Sequence, residues 1–250
     1  MKAQQLKNAI LQLAIQGKLV PQDPSDEPAS VLLDKIKQEK DRLIAEGKIK
    51  KSKKTTDNLP STELQDFPFE IPESWVWINL ETISLKLTDG THNSPPNFDA
   101  GDFLYITAKN IKRDGLDLSK ISYVSTEIHE EIYSRCNPEK GDILYIKDGA
   151  TTGISIINPL DIPFSMLSSV ALIKTPHSIN NDYLNYVMNS HYFYNVSIGS
   201  MSGTGIPRIT LTKLATYLIP LPHSTNKNVS WQKLKSYYLI LNNMQKKKKN

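Results

Sequence analysis

The stretch "KGDILYIKDGATTGISII", Lys140 to Ile157, sets two short apolar runs on either side of a polar turn, "KDGATTG", that holds two glycines. Short runs of β-branched and aromatic residues bounded by glycine and aspartate read as strands, because they lack the three-and-four spacing of a one-sided helix. The same pattern recurs outward in both directions, in "WVWINL", "DFLYITA", "ISYVS", "SVALIKT" and "TYLIPLP". Two helical stretches interrupt it: "STEIHEEIYSR", and "NNDYLNYVMNSHYFYNVS", whose Tyr183, Val187, Met188 and Tyr192 share one side. Their helical spacing makes those tyrosines core residues before it makes them base-stacking ones. The domain built this way spans residues 67–222 and contains no internal repeat.

Upstream the grammar changes. Leu6, Ile10, Leu13 and Ala14 follow amphipathic helical spacing, and Gly17 is the expected stop. After the breaker "PQDPSDEPAS" a second helix is expected from Pro28 to Glu46, with Leu32, Leu33, Ile36, Leu43 and Ile44 apolar and Gly47 just past its end. Two helices and a short polar loop make a hairpin over residues 1–50, followed by a basic and polar linker at 51–66. The expected fold class is α+β (mixed α/β), an N-terminal helical hairpin followed by one domain with a mixed β-sheet and flanking helices.

The chain has 250 residues, 39% hydrophobic, with a formal net charge of +4, enough apolar content for a core and a mild excess suited to a polyanion. Much of that excess lies in "EGKIKKSKK" and "QKKKK", runs that are ordinarily solvated. No apolar run approaches a membrane span, and the start is too polar for a signal peptide, so a cytoplasmic location is expected. Cys136 is the single cysteine, which excludes an internal disulfide framework. It reads as a small apolar residue, since no base is evident beside it.

Several catalytic classes lack their parts. "NSPPNF" inserts a serine where an amino-methyltransferase needs prolines directly after its asparagine, and Asn97 occupies the aromatic's place. No glycine-rich nucleotide loop, GxxxxGK[ST], HExxH or GxSxG is present. His92, His129, His177, His191 and His223 stand far apart, so no metal site is expected. "GDILYIKDG" supplies only the first acid of a metal-dependent nuclease signature.

The polar turns carry a different inventory. "TDGTH" offers Thr91 and His92, "TAKNIKRDG" Lys109, Asn110, Lys112 and Arg113, "KDGATTG" Lys147, Thr151 and Thr152, and "MSGTGIPRIT" Thr204 and Arg208. Arginine and lysine pair with guanine or phosphate, asparagine with adenine, and threonine with phosphate or a thymine methyl. Taken together, these residues are the candidate DNA contacts. Asp89 and His92 admit a structural reading equally well, because an aspartate before glycine caps a turn.

At this point the text resembles a known family. "MKAQQLKNAILQLAIQGKLVPQDPSDEPASVLLDKIKQEKDRLIAEGKIKK" is similar to the amino-terminal region of DNA-specificity subunits of type I restriction-modification systems. "IPESWVWINLETI", "DGTH", "AKNIKRDGLDLSKISYVS", "KGDILYIKDGATTGISII" and "LIPLP" resemble the landmarks of one target recognition domain, in the family's order. The resemblance implies a non-catalytic subunit that reads one half of a bipartite double-stranded DNA target and docks methyltransferase subunits. A restriction motor-nuclease subunit would join indirectly, and S-adenosylmethionine, ATP and Mg would belong to partner subunits. The alternative it leaves open is a truncated scaffold or competitor that binds the methyltransferase without recognising DNA.

Family members ordinarily carry two recognition domains set apart by helices, whereas this text holds one. Residues 223–250 depart from the family pattern. Codons compatible with the segment beginning at Asn226, read from the third base of its first codon, also spell QKRIVAKIEELLPYIEQY, a helix of the family's form. The tail is therefore expected to be an out-of-frame remnant of the central helix. A half-length chain could recover two reading heads as a self-dimer.

Overall fold

The computed structural model describes residues 3–19, 21–22, 27–49, 67–201 and 208–222, together with Ser236. In chain order the elements begin with helices α1 (Ala3–Ile15) and α2 (Ala29–Ala45), then strands β1 (Val76–Asn79), β2 (Lys86–Asp89) and β3 (Phe103–Ile106). A 3-10 turn at Ala108–Asn110 leads to β4 (Ile111–Lys112), β5 (Gly115–Leu116), β6 (Ser122–Val124) and α3 (Thr126–Arg135). Next come β7 (Ile143–Ile146), β8 (Ser155–Ile157), β9 (Ser165–Met166) and β10 (Val170–Lys174). The last are α4 (Asn181–Met188), α5 (His191–Ser200), α6 (Leu211–Ala215) and β11 (Leu218–Leu221). Among the described residues no helix is long and apolar enough to cross a membrane.

The chain divides into two compact units. The first gathers described residues within Met1–Asn79, Pro176–Tyr192 and Leu218–Asn250, and the second those within Leu80–Thr175 and Phe193–Tyr217. Within the first unit β1 pairs antiparallel with β11 and α4 packs against α1. Both terminal helices stop as anticipated at glycines with positive φ, Gly17 at 68° and Gly47 at 69°. The buried face of α1 differs from the expected stripe: Leu11, Ala14 and Ile15 are buried, whereas Leu6 and Leu13 are 39% and 43% exposed. Those outer leucines keep helical spacing with the stripe but lie on the wrong side of the buried seam.

Aromatic rings fill the rest of the first unit. Trp77 stacks with Phe67 and meets Phe69 and Tyr192 edge-on, at centroid distances of 6.0, 4.8 and 5.8 Å. Tyr183 is buried, its ring edge-on to Trp75, and its hydroxyl donates to the Pro220 carbonyl. Tyr192 donates to the Leu218 carbonyl at 2.9 Å, so both tyrosines anchor β11 as core residues with satisfied hydroxyls. The single helix expected over residues 180–197 is two helices. Asn189 ends α4, with its side-chain amide donating to the Asn185 carbonyl at 2.9 Å, a local bond that competes with helix continuation.

The second unit is built on a four-stranded antiparallel sheet in the order β2-β10-β7-β8, with a three-stranded sheet β6-β3-β9 and a small hairpin β4-β5. Every residue of β7 is buried, which explains why "ILYI" shows no polar alternation: both faces of the strand are covered. One cluster holds Leu144, Ile146, Val170 and Leu172 with Ile106, Phe164 and Met166. Elsewhere in the unit Tyr145 meets Phe193 edge-on at 5.9 Å, and its hydroxyl lies 2.8 Å from the Ser197 hydroxyl. Cys136 belongs to the core cluster, and burial pushes its thiol up to about 12, consistent with the inert reading. Of the strands that sequence missed, β2 and β9 exist through pairings with distant residues, such as Leu87 with Ile173 and Ser165 with Tyr105, and β4 and β5 are two-residue arms of a local hairpin.

Candidate nucleic-acid interface

At one end of the four-stranded sheet the strands hand over to the polar loops, and the segment Met166–Ser169 ties them together. Thr91 N donates to Met166 O and Ser168 N to Thr91 O, both at 2.8 Å, so the "DGTH" loop begins as a parallel bridge to this segment. Leu167 N donates to Ile106 O and Lys147 N to Ser169 O, each at 3.0 Å, which brings in β3 and the "KDGATTG" loop. Gly90 is what permits the crossing: a Cβ there would stand 1.8 Å from Met166 O, so no larger residue fits the same backbone. A third loop joins through Ile209 N, which donates to Lys147 O at 2.9 Å beside an antiparallel bridge between Asp148 and Arg208.

A row of alternating charges runs through this junction. Lys147 Nζ lies 3.4 Å from Asp89 Oδ2 and 3.1 Å from Asp148 Oδ2, with the three side chains 5%, 4% and 10% exposed. Around the buried core sit three outer cations or potential cations. Arg208 Nε is 3.7 Å from Asp148 Oδ1, and His92 Nε2 is 3.5 Å from Asp89 Oδ1. Arg135, from the last turn of α3, donates to the Gly90 carbonyl and stands 3.9 Å from Asp89 Oδ1. Burying charge is tolerable only with partners in place, so the row fixes the relative positions of three loops.

The structure sorts the eleven sequence candidates into different situations. Exposed are His92, Lys109, Lys112, Arg113, Thr151 and Arg208, and Thr91 is half-buried with its hydroxyl donating to Asn93 O at 3.0 Å. Asn110 is buried: its side-chain oxygen accepts from Thr107 N at 3.0 Å and its amide donates to Asp117 O at 3.2 Å, closing the 3-10 turn. Lys147 is the centre of the charge row, and the buried Thr152 donates to Gly149 O at 2.7 Å. These three side chains shape the loops and do not point a polar group at solvent. Thr204 lies outside the described residues.

The hairpin β4-β5 turns at Arg113 and Asp114, so Lys112 and Arg113 stand at its tip, and Lys112 Nζ donates to Lys109 O at 2.6 Å. Sequence reasoning missed Asp148 and Arg135, whose roles come from partners far along the chain, and Tyr194. Tyr194 is 41% exposed, with its ring 3.1 Å from where a Gly153 Cβ would stand. A polar-loop inventory contains no signal for an aromatic on a separate helix.

A family model described as the type I restriction modification DNA specificity domain matches residues 80–250, more than half of the chain and including the tail. The chain belongs to the type I restriction-modification DNA specificity family. Within that family it is 34% identical over 220 residues to the EcoAI specificity subunit of Escherichia coli, covering 86% of this chain and 36% of the relative. It is also 34% identical over 188 residues to the Escherichia coli EcoEI specificity subunit, 71% of this chain and 29% of the other. A Methanocaldococcus jannaschii specificity subunit, MjaVIII, is 26% identical over 176 residues. The chain thus spans about a third of the length of the two Escherichia coli relatives. A solved structure concerning assembly of a type I restriction-modification system aligns over 97% of this chain and 50% of its own, at 16% identity and a TM-score of 0.47. The specificity subunit from M. genitalium aligns over 65% of this chain and 37% of its own, at 18% identity and a TM-score of 0.44.

Proposed function

We propose that this chain is a non-catalytic, cytoplasmic DNA-specificity element that reads one half of a bipartite double-stranded target through the loops at the end of the four-stranded sheet. The observation that carries the reading is the convergence of the 89–92, 147–152 and 208 loops on the buried Asp89, Lys147 and Asp148 row, with His92, Thr151 and Arg208 left exposed beside it. Such a surface has fixed backbone and exposed donors, and the turn leading to the cationic hairpin is tied to the same Met166–Ser169 segment by Ala108 N donating to Ser169 Oγ at 3.3 Å, a combination suited to holding phosphates while reaching base edges. Lys109, Lys112 and Arg113 take the phosphate role, and Arg208, His92, Thr91 and Thr151 the groove.

Methyltransferase subunits dock elsewhere, on the N-terminal helices, where Leu6 and Leu13 stand exposed on α1. The methyl donor S-adenosylmethionine, ATP and Mg are held by those partners and by a motor-nuclease subunit, and a second copy of the chain supplies the other reading head. The exposed leucines also favour the second reading, a scaffold that binds the methyltransferase without recognising DNA. Gel-shift titration of a randomised duplex pool, with and without the methyltransferase subunit, separates them. A motif enriched in the bound pool supports reading; tight protein binding with an unenriched pool supports the scaffold.

A further inference from the structure

We infer that Asp148 is a positioning residue that turns Arg208 into the reader of one guanine. The inference rests on the DNA-reading proposal and deepens it. Arg208 differs from the other exposed cations of this surface. Its backbone is bridged antiparallel to Asp148, and the next residue, Ile209, is fully buried and bonded to Lys147 O, so the main chain has no freedom to wander. Its side chain is nonetheless 63% exposed, and it faces Asp148 Oδ1 through Nε at 3.7 Å.

The acid beneath it has an unmet demand. Asp148 Oδ2 accepts from Lys147 Nζ at 3.1 Å, while the buried Oδ1 has no hydrogen-bond partner among the described residues and faces Arg208 Nε at 3.7 Å. Asp89 and Asp148 with Lys147 sum to one negative charge; outside it, Arg135 faces Asp89 at 3.9 Å and Arg208 is the guanidinium that faces Asp148. Closing that last gap would satisfy a buried carboxylate oxygen, so the Nε edge of Arg208 is drawn inward. The edge carrying Nη1 and Nη2 is then presented as two parallel donors. That fork matches O6 and N7 of guanine in the major groove, and orienting it beforehand lessens the side-chain ordering that binding requires. The hairpin tip differs, since Lys112 donates to the Lys109 carbonyl at 2.6 Å and its neighbouring acid, Asp117, is bonded to Ser119. Arg135 spends Nη2 on the Gly90 and Asp89 carbonyls. Those cations suit phosphate.

The test uses the full chain. A motif is first enriched from a randomised duplex pool, and every base pair in it is then changed singly in competition assays. Arg208→Ala and Arg208→Lys, both surface changes, are expected to lose the preference for a G·C pair at one position. The expected loss is roughly 5- to 150-fold, the span of a good bidentate contact. Asp148→Asn keeps the side-chain shape and leaves Lys147 its pair with Asp89. It is expected to lose the preference at that same position, to leave the others intact, and to add nothing to Arg208→Ala in the double variant. Asp148→Glu, with the charge kept and moved by one methylene, should recover part of the preference and covers the case in which the asparagine variant does not melt cooperatively. Arg208→Ala weakening all duplexes equally would make Arg208 a phosphate contact and overturn the inference. So would Asp148→Asn with the preference untouched. A wild-type chain that binds duplex but enriches no motif overturns the DNA-reading proposal itself, a result distinct from either of these.

Discussion

Lys147 Nζ stands 3.4 Å from Asp89 Oδ2 with both side chains almost wholly buried, and this pair joins the end of β2 to the end of β7. The lysine also serves Asp148, so one cation holds two buried acids. Lys147→Met keeps the volume but leaves both carboxylates without it. The expected loss is about 3–5 kcal/mol, the usual consequence of stranding a buried charge. Urea denaturation checks it, and Asp148→Asn, which leaves a single balanced pair, should cost distinctly less.

The Gly90 crossing gives a second stability prediction. A methyl group at Gly90 would collide with the Met166 carbonyl, whereas at Gly199, inside α5, it would meet nothing within 4 Å. Gly90→Ala should therefore cost more than about 2 kcal/mol, as strain at a special backbone site does. Gly199→Ala should stabilise by about 0.5–1 kcal/mol through helix propensity. Opposite shifts in melting temperature for the two variants would confirm that the close approach, and not glycine content, is what matters at residue 90.

The hairpin cations predict a salt effect. Lys109, Lys112 and Arg113 are exposed, so alanine at each should leave stability within about 0.5 kcal/mol of wild type. If they meet phosphates, each replacement lowers the slope of log Kd against log salt by about one and weakens all duplexes alike. Filter-binding titrations at several salt concentrations would show it. An unchanged slope would remove the hairpin from the interface.

How far the sequence disclosed this arrangement depends on the range of the interaction. The strands β7 and β8 were legible because "ILYI" and "SII" are apolar runs closed by Gly141, Gly149 and Gly153, each with positive φ. The ends of α1 and α2 were legible for the same local reason. The split between α4 and α5 was not, since it turns on one asparagine side chain. Among the site residues, Lys147, Asn110 and Thr152 look like readers in a linear text because they are polar and lie in turns. In the structure they are buried and bonded to Asp89, Asp117 and Gly149, and two of those three contacts cannot be guessed without knowing which strands meet. Arg208 looked like the others, and its bridge to Asp148 together with the buried oxygen of that acid sets it apart.

His129 offers a pH test of the core beneath the interface. Its ring lies flat on Phe103 at 3.7 Å, its Nδ1 is 3.0 Å from the Ser165 hydroxyl, and it is buried. Burial pushes its pKa below the ordinary 6.5, with Glu130 opposing weakly. The unfolded chain therefore binds a proton at a higher pH than the folded one. Stability from the neutral ring is fully present above the unfolded pKa and is lost as pH falls through that value toward the folded one. Urea midpoints measured from about pH 8 down to about pH 5, the range over which an ordinary histidine titrates, should fall for the wild type. In His129→Gln, which keeps a polar group for Ser165 but does not titrate, that part of the fall should vanish while the midpoint at high pH drops through loss of the stacked ring. Parallel pH profiles for the two proteins would show that His129 does not titrate differently on folding.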